Sequence, residues 1–309
     1  MARKIRNKYF VLALRRVGTD NYGEDYIAAG AIPQVLQTSG AKITPLAGEE
    51  IDRDLDDGGT GNSLVMMVGD KVQITGKVEI SGSGTNNLAT KYAALHQICG
   101  RAQAINGAID VGYTRVTDGS ELDACVYFYM DGALHKAFGV RGKRKAMYKT
   151  GEIPYYEFEL LGIYGGIVTG AFTTPDFTGY QKPLKVGKTY TSFTLDGVVR
   201  KLIEIELDDG NEVELEEYVG YEEVLIGDFK PTGKMVIEAP NLSVFDPFAV
   251  ARSEATMPFA LTHGTAAGFI VKEASASIQL GRPEYGDRNG TLTYEIPFRL
   301  ITDTTTTTS

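Results

Sequence analysis

The stretch Asp52-Arg53-Asp54-Leu55-Asp56-Asp57-Gly58 spaces its carboxylates much as a calcium loop spaces oxygen ligands. Counted from Asp52, however, the sixth position, which must be glycine, is Asp57, and the twelfth, which must bring a bidentate glutamate, is Ser63. The stretch therefore reads as a solvated acidic loop. Gly82-Ser83-Gly84-Thr85 has the glycines of a phosphate cradle but lacks the Gly-Lys-Ser/Thr ending of a P-loop, so it reads as a hairpin or helix-entry loop. The densest basic run is Gly139-Val140-Arg141-Gly142-Lys143-Arg144-Lys145. Without interleaved aromatics it is expected to be a charge cluster on a sheet edge or a subunit contact, through Arg141, Lys143, Arg144 and Lys145. His96, His135 and His263 show no metal-ligand spacing, and Cys99 and Cys125 fall at apolar positions, as inert core thiols do. No Gly-x-Ser-x-Gly elbow is present. Carboxylates are abundant, yet no pair is singled out, and no catalytic, metal or cofactor site is expected.

The composition points instead to strands and turns. Among 309 residues there are 36 Gly, 17 Tyr and 13 Phe but no Trp, a mixture suited to many short strands joined tightly. Alternation is clear in Lys71 to Ile80, and Ala124–Met130, Asp131-Gly132 and Ala133–Val140 form a hairpin pattern, since Asp-Gly accepts a type I′ turn. Further strands are expected at 9–14, 155–164, 192–199, 202–207, 212–218, 234–238, 274–280 and 292–300, with Asp209-Gly210 as another hairpin turn. Only two helices are expected. One is capped by Asn87, carries Leu88, Tyr92, Leu95 and Cys99 on one face, and stops at Gly100; the other is opened by Asp246-Pro247 and runs to about Ala255.

The net charge of −9 argues against a dedicated nucleic-acid reader. No run approaches the ~20 apolar residues of a membrane span, and no apolar segment follows Met1-Ala2-Arg3-Lys4, so neither a bilayer span nor a secretory leader is expected. At roughly 150 residues per domain the chain has room for two. A repeat agrees with that: Val68 to Ile80 resembles Ile226 to Glu238, sharing Thr-Gly-Lys, and Tyr156 to Leu160 parallels Tyr294 to Phe298. Strand, helix, hairpin and aromatic strand follow in the same order twice, which places one unit at 1–168 and another at 169–309. Residues 18–62 show little periodicity and are expected to form a long extended loop. The segment Thr302–Ser309, with its five threonines in a row, is expected to be floppy in a free monomer.

In this order the motifs resemble the major tail tube proteins of tailed bacteriophages, in the long form with a doubled tube domain. The resemblance is carried by Val17 to Asp25, Leu46 to Arg53, Thr75 to Gly84, Asp131-Gly132 with Gly139 to Gly142, Gly151 to Phe158, Gly264 to Gly268 and the closing Gly290 to Leu300. Thr169 to Tyr221 matches least. The resemblance implies a mainly β protein of two tandem β-sandwich or barrel domains, each flanked by a helix, whose sheets join edge to edge around a ring. Ring closure would give the unpaired strand edges a partner. A doubled chain implies a ring of three with pseudo-sixfold symmetry, with a ring of six as the alternative. The rings would stack into a hollow tube around a tape-measure protein, meet terminator and tail-tip proteins at its ends, and let double-stranded DNA pass. The protein would belong to the virion tail, be assembled in the host cytoplasm, enter no membrane, need no cofactor and be no enzyme.

The 18–62 loop and the basic start at Arg3, Lys4, Arg6 and Lys8 are the expected arms toward a neighbouring ring, with Tyr22, Asp25, Tyr26, Asp52, Arg53 and Asp54 as contacts. Carboxylates are expected to dominate the lumen so that DNA slides without sticking, with Glu79, Glu157 and Glu159 as strand candidates. Two other readings stand beside this one. A tail-tip, baseplate or capsid-associated protein would form discrete oligomers. A carbohydrate-binding or hydrolytic β-protein would need an exposed Tyr cleft and facing carboxylates, about 5–9.5 Å apart for hydrolysis, and the lack of Trp weighs against it.

Overall fold

Alternation sets the pattern of the strands: in Lys71–Glu79, Val72, Ile74 and Val78 point into the core while Lys71, Gln73, Thr75 and Lys77 face outward. The computed structural model describes residues 8–53, 62–170 and 173–309. Among these the fold is mainly antiparallel sheet with two short helices. Arg3, Lys4, Arg6, Asp54, Asp56, Asp57 and Gly58 lie outside the described residues.

In the first half of the chain, hydrogen-bonded neighbours run Ser39–Thr44, Lys71–Glu79, Tyr155–Thr169, Ala133–Lys149, Ala124–Met130, Lys8–Leu14 and Gln34–Leu36. In the second half they run Leu202–Asp208, Thr232–Glu238, Thr291–Leu300, Val271–Leu280, Thr256–His263, Thr191–Leu195 and Val198–Val199. The two series match in chain order as well as in pairing order. Each sends out a separate hairpin between its first two members, Glu49–Asp52 with Val65–Val68 in one and Asn211–Tyr218 with Tyr221–Phe229 in the other. Each also places its helix, Ala93–Ile98 or Pro247–Ser253, after the second member.

Thr-Gly-Lys has a physical role in both series. Gly76 stands opposite Phe158 and Gly233 opposite Phe298, and each ring lies where a glycine Cβ would be. The structural match is therefore Phe158 with Phe298, two residues away from the phase in which the sequence pairs Tyr156 with Tyr294. A shift of two keeps every side chain on its face. At Gly233 an added Cβ would collide with Phe298 Cζ and lie 2.8 Å from the Glu206 carbonyl. Gly233→Ala is therefore expected to cost about 1–3 kcal/mol in urea unfolding. Phe298→Leu in the same chain should cost less than it does alone, because the shorter side chain relieves the clash.

Several elements differ from the sequence reading. The first helix begins at Ala93, not after Asn87; Asn87 sits at φ 53° and Leu88 is exposed, so no apolar surface holds that turn. The second helix starts as expected, with the Asp246 carboxylate accepting from the Phe248 and Ala249 amides at 3.0 Å each. It ends at Glu254, which is left-handed at φ 57°. Residues 18–62 are not one long loop, since Gln34–Leu36, Ser39–Thr44 and Glu49–Asp52 are strands. Thr302–Ser309 is not floppy: Thr305–Thr308 is a strand slotted between Val271–Ala274 and Val111–Tyr113. Asp131-Gly132 is the expected turn, with φ of 48° and 87°. Asp209-Gly210 is not a hairpin turn, because the strands on its two sides pair with different partners.

Candidate assembly interface

Among the described residues, two strand ladders connect the halves. Lys145–Lys149, the end of the long strand Ala133–Lys149, pairs with Glu204–Asp208 and makes one sheet of the two series. On the other side, Thr305–Thr308 bridges Val271–Ala274 to the Arg101–Asn106/Asp110–Arg115 hairpin.

Between the joints lies a buried ionic cluster. Arg101 donates to Asp209 at 2.6 Å and to the Thr304 carbonyl at 2.6 Å. Arg144 donates to the other Asp209 oxygen at 2.9 Å and to Thr306 Oγ1 at 2.9 Å. Thr306 Oγ1 donates to Glu273 at 2.6 Å, and the Tyr156 hydroxyl donates to the second Glu273 oxygen at 2.8 Å. All four charged side chains are buried, the arginines coming from the first half and the carboxylates from the second. Burial alone would raise the Asp209 carboxyl, but the guanidinium charges of Arg101 and Arg144 outweigh it and hold the group well below the ordinary range. Glu273 is raised, because burial outweighs Arg144 and the Thr306 hydroxyl. Arg144 also points at His96 Nδ1. Burial, then the charges of Arg144 and Arg101, keep that imidazole well below its usual pKa and so neutral. A neutral, enclosed imidazole in a cationic cluster packs and accepts; it is poorly placed to shuttle protons with solvent.

The basic run thus divides by face. Arg141 and Arg144 are buried, while Lys143 and Lys145 face outward; from Arg141 to Arg144 only Tyr155–Thr169 pairs as a strand, and the other side is closed by Asn211 donating to the Gly142 carbonyl and the Asp209 amide donating to the Arg144 carbonyl, so the expected free sheet edge is absent. Lys143 pairs with Glu159 at 2.9 Å; Lys145 reaches Glu206 at 2.7 Å and Asp208 at 3.2 Å. Lys77 and Lys145 both stand opposite Glu157, Glu206 stands opposite Lys234, and Lys234 pairs with Glu295 at 2.7 Å. Opposite charges therefore alternate across six adjacent strands on one polar face. This face holds Glu157 and Glu159, with Glu79 at the end of its strand, and carboxylates do not dominate it.

Of the residues expected to reach another ring, Tyr22, Asp25 and Tyr26 are used within the chain. The Tyr22 hydroxyl donates to the Gly139 carbonyl at 2.9 Å and accepts from the Val224 amide at 2.7 Å. Asp25 accepts from Tyr127 at 2.6 Å and pairs with Lys136 at 2.9 Å. Tyr26 is fully buried and donates to Asp123. Asp52 and Arg53, by contrast, are exposed at the hairpin. Sequence reading missed Arg101, Asp209, Glu273 and Thr306. For Glu273 a signal existed: it occupies the buried phase of its strand, between Val271 and Ser275.

Among the described residues no cluster of His, Cys, Asp or Glu could hold a metal ion, and no helix is long and apolar enough to cross a membrane. No protein-family model matches the chain, and no curated protein matches it.

Proposed function

We propose that the protein is a self-assembling structural subunit of a phage tail tube, built from two tandem tube-like domains that meet at the joint described above. The observation that carries this reading is that joint. Lys145–Lys149 takes Glu204–Asp208 as its edge partner inside the chain. Past the end of Val271–Leu280, Glu284–Arg288 continues alongside Thr291–Leu300 with no described strand on its outer side, and Ser39–Thr44, first in its series, pairs among the described residues only with Lys71–Glu79. A chain with one such joint made internally and its two halves open at opposite ends suits head-to-tail addition of copies. Head-to-tail contacts close into rings when the rotation allows. Three copies would give a ring with pseudo-sixfold symmetry, and a ring of six is the alternative; stacked rings would surround a tape-measure protein and later pass DNA.

The polar face with its alternating Lys and Glu would line the lumen in this reading. A wall whose charges cancel locally offers phosphate neither a cationic track to release counterions on nor a strong barrier, so passage is loose. This replaces the acid-dominated wall expected from the net charge. Negative-stain microscopy of the purified protein over a concentration series, with a tail-tip initiator complex added, tests the reading. Hollow, axially striated tubes are the expected result. Discrete rings that never stack would favour the tail-tip alternative instead.

A further inference from the structure

The hairpin of the second half has a host within the chain, whereas the apolar side chains of the first-half hairpin lie exposed among the described residues. Arg141 donates to the Val224 carbonyl at 2.6 Å and pairs with Glu223 at 3.1 Å. Arg115 stacks on the Phe229 ring at 4.2 Å and donates to the Asn211 side chain. Tyr22 holds Val224 from the other side, and Val224 is fully buried. Every one of these host residues belongs to the first half.

The first-half hairpin, in contrast, exposes Ile51, Val65, Met66 and Met67 by 47–61%, and the adjoining Leu64 by 85%. A lone two-stranded hairpin is marginal in water, and this one exposes apolar side chains on both faces, Ile51 and Met66 on one, Val65 and Met67 on the other. The correspondence between the halves says where its host would lie. Arg144 stands opposite Phe158 as Leu280 stands opposite Phe298. Beside Arg144 a hollow of ≈ 530 Å³ is bordered on one side by Asp208, Gly210 and Asn211, the neck of the second-half hairpin. Beside Leu280 there is an open groove of ≈ 500 Å³ between the end of the Pro247–Ser253 helix and Gln279–Pro283. Phe248, Leu280 and Pro283 give it apolar walls, and Arg252, Arg282 and Arg299 make it cationic, with Glu254 at its rim. All three arginines are exposed, and none forms an ion pair with a described residue. Glu49 and Glu50 are exposed on the hairpin strand that starts at the neck, and the charges complement.

We propose that the Glu49–Asp52/Val65–Val68 hairpin of one copy seats on the arginine-lined groove of a second copy, guided there by pairing of the open Ser39–Thr44 edge with the open Glu284–Arg288 edge. This inference rests on the head-to-tail reading above. The contact repeats between chains what the second-half hairpin does within one. Apolar side chains supply burial, and the glutamates opposite arginines set the register and orientation.

Sedimentation velocity of the full chain over a concentration series provides the test. Arg282→Glu with Arg299→Glu should raise the concentration needed for assembly at least about tenfold, as should Glu49→Lys with Glu50→Lys. A chain carrying all four changes should regain assembly, which a folding defect would not allow. Oxidative cross-linking with copper phenanthroline adds an independent measure. Glu50→Cys mixed with Arg282→Cys should give intermolecular dimers, the native Cys99 and Cys125 being buried and silent. Assembly indifferent to both reversals, with no cross-link, would overturn the docking proposal even if tubes form. Charge-dependent, cross-linkable oligomers that never become tubes would sustain the docking and sink the tube reading.

Discussion

Asp209→Ala is expected to destabilise the protein by about 3–5 kcal/mol, the usual cost of removing one partner from a buried ion pair. The carboxylate is the shared acceptor of Arg101 at 2.6 Å and Arg144 at 2.9 Å, and both guanidinium groups are buried. Alanine would leave Arg101 with only Asp303 at 3.4 Å and Thr304, and Arg144 with Thr306 and the ring of His96. Asp209→Asn keeps the shape and separates charge from packing. The deficit depends on pH in a defined direction. Because the folded pKa of Asp209 is depressed, its stabilisation is fully present above the unfolded value, about 4, and is lost as pH falls through the folded one. Urea unfolding at pH 7 and again near pH 3 should therefore show the gap between wild type and Asp209→Ala narrowing in acid. A gap that stays constant would mean that Asp209 acts by packing alone.

Thr306→Val should cost about 3 kcal/mol, since it removes two hydrogen bonds to charged groups at about 1.5–3 kcal/mol each while keeping the side-chain volume. Thr306 Oγ1 relays between Arg144 and Glu273, which do not otherwise share a hydrogen bond. Glu273 is already raised by burial, so its folded form binds a proton more readily than the unfolded chain does. The sign is opposite to that of Asp209: this contribution favours the fold below the unfolded pKa and is lost as pH rises through the folded one. Without the hydroxyl the carboxylate loses a donor and its pKa rises further. The deficit of Thr306→Val should accordingly be larger at pH 8 than at pH 5, again by urea unfolding. Asp209→Ala and Thr306→Val share Arg144, so the double variant should depart from additivity.

Local chemistry was legible in the sequence. The alternation of Lys71–Glu79, the Asp131-Gly132 turn, the Asp246 cap and the repeated Thr-Gly-Lys all reflect rules acting within a few residues. A period of two says which side chains share a face, and so Glu157 and Glu159 could be placed together from sequence, whereas Arg141, Lys143, Arg144 and Lys145 read as one charge cluster although both arginines are buried. That period does not say which strand lies alongside. Asp209 looks like a turn residue until Arg101 and Arg144, 108 and 65 positions earlier, close around it. The Thr305–Thr308 strand has no apolar pattern to announce it, and its order comes from a slot between two distant edges. Tyr22 and Asp25 looked like an outward arm because loop polarity reads as exposure, yet Val224 and Lys136 turn them inward. Backbone edges carry no sequence code of their own, since every non-proline residue offers the same amide and carbonyl. The sequence by itself therefore determined the strongly alternating strands and the faces of their side chains, but not the strands within 18–62 or at Thr305–Thr308. Which edges met, which charges were buried and which hairpin kept its apolar side chains exposed were decided only by tertiary structure, because those depend on partners far away along the chain.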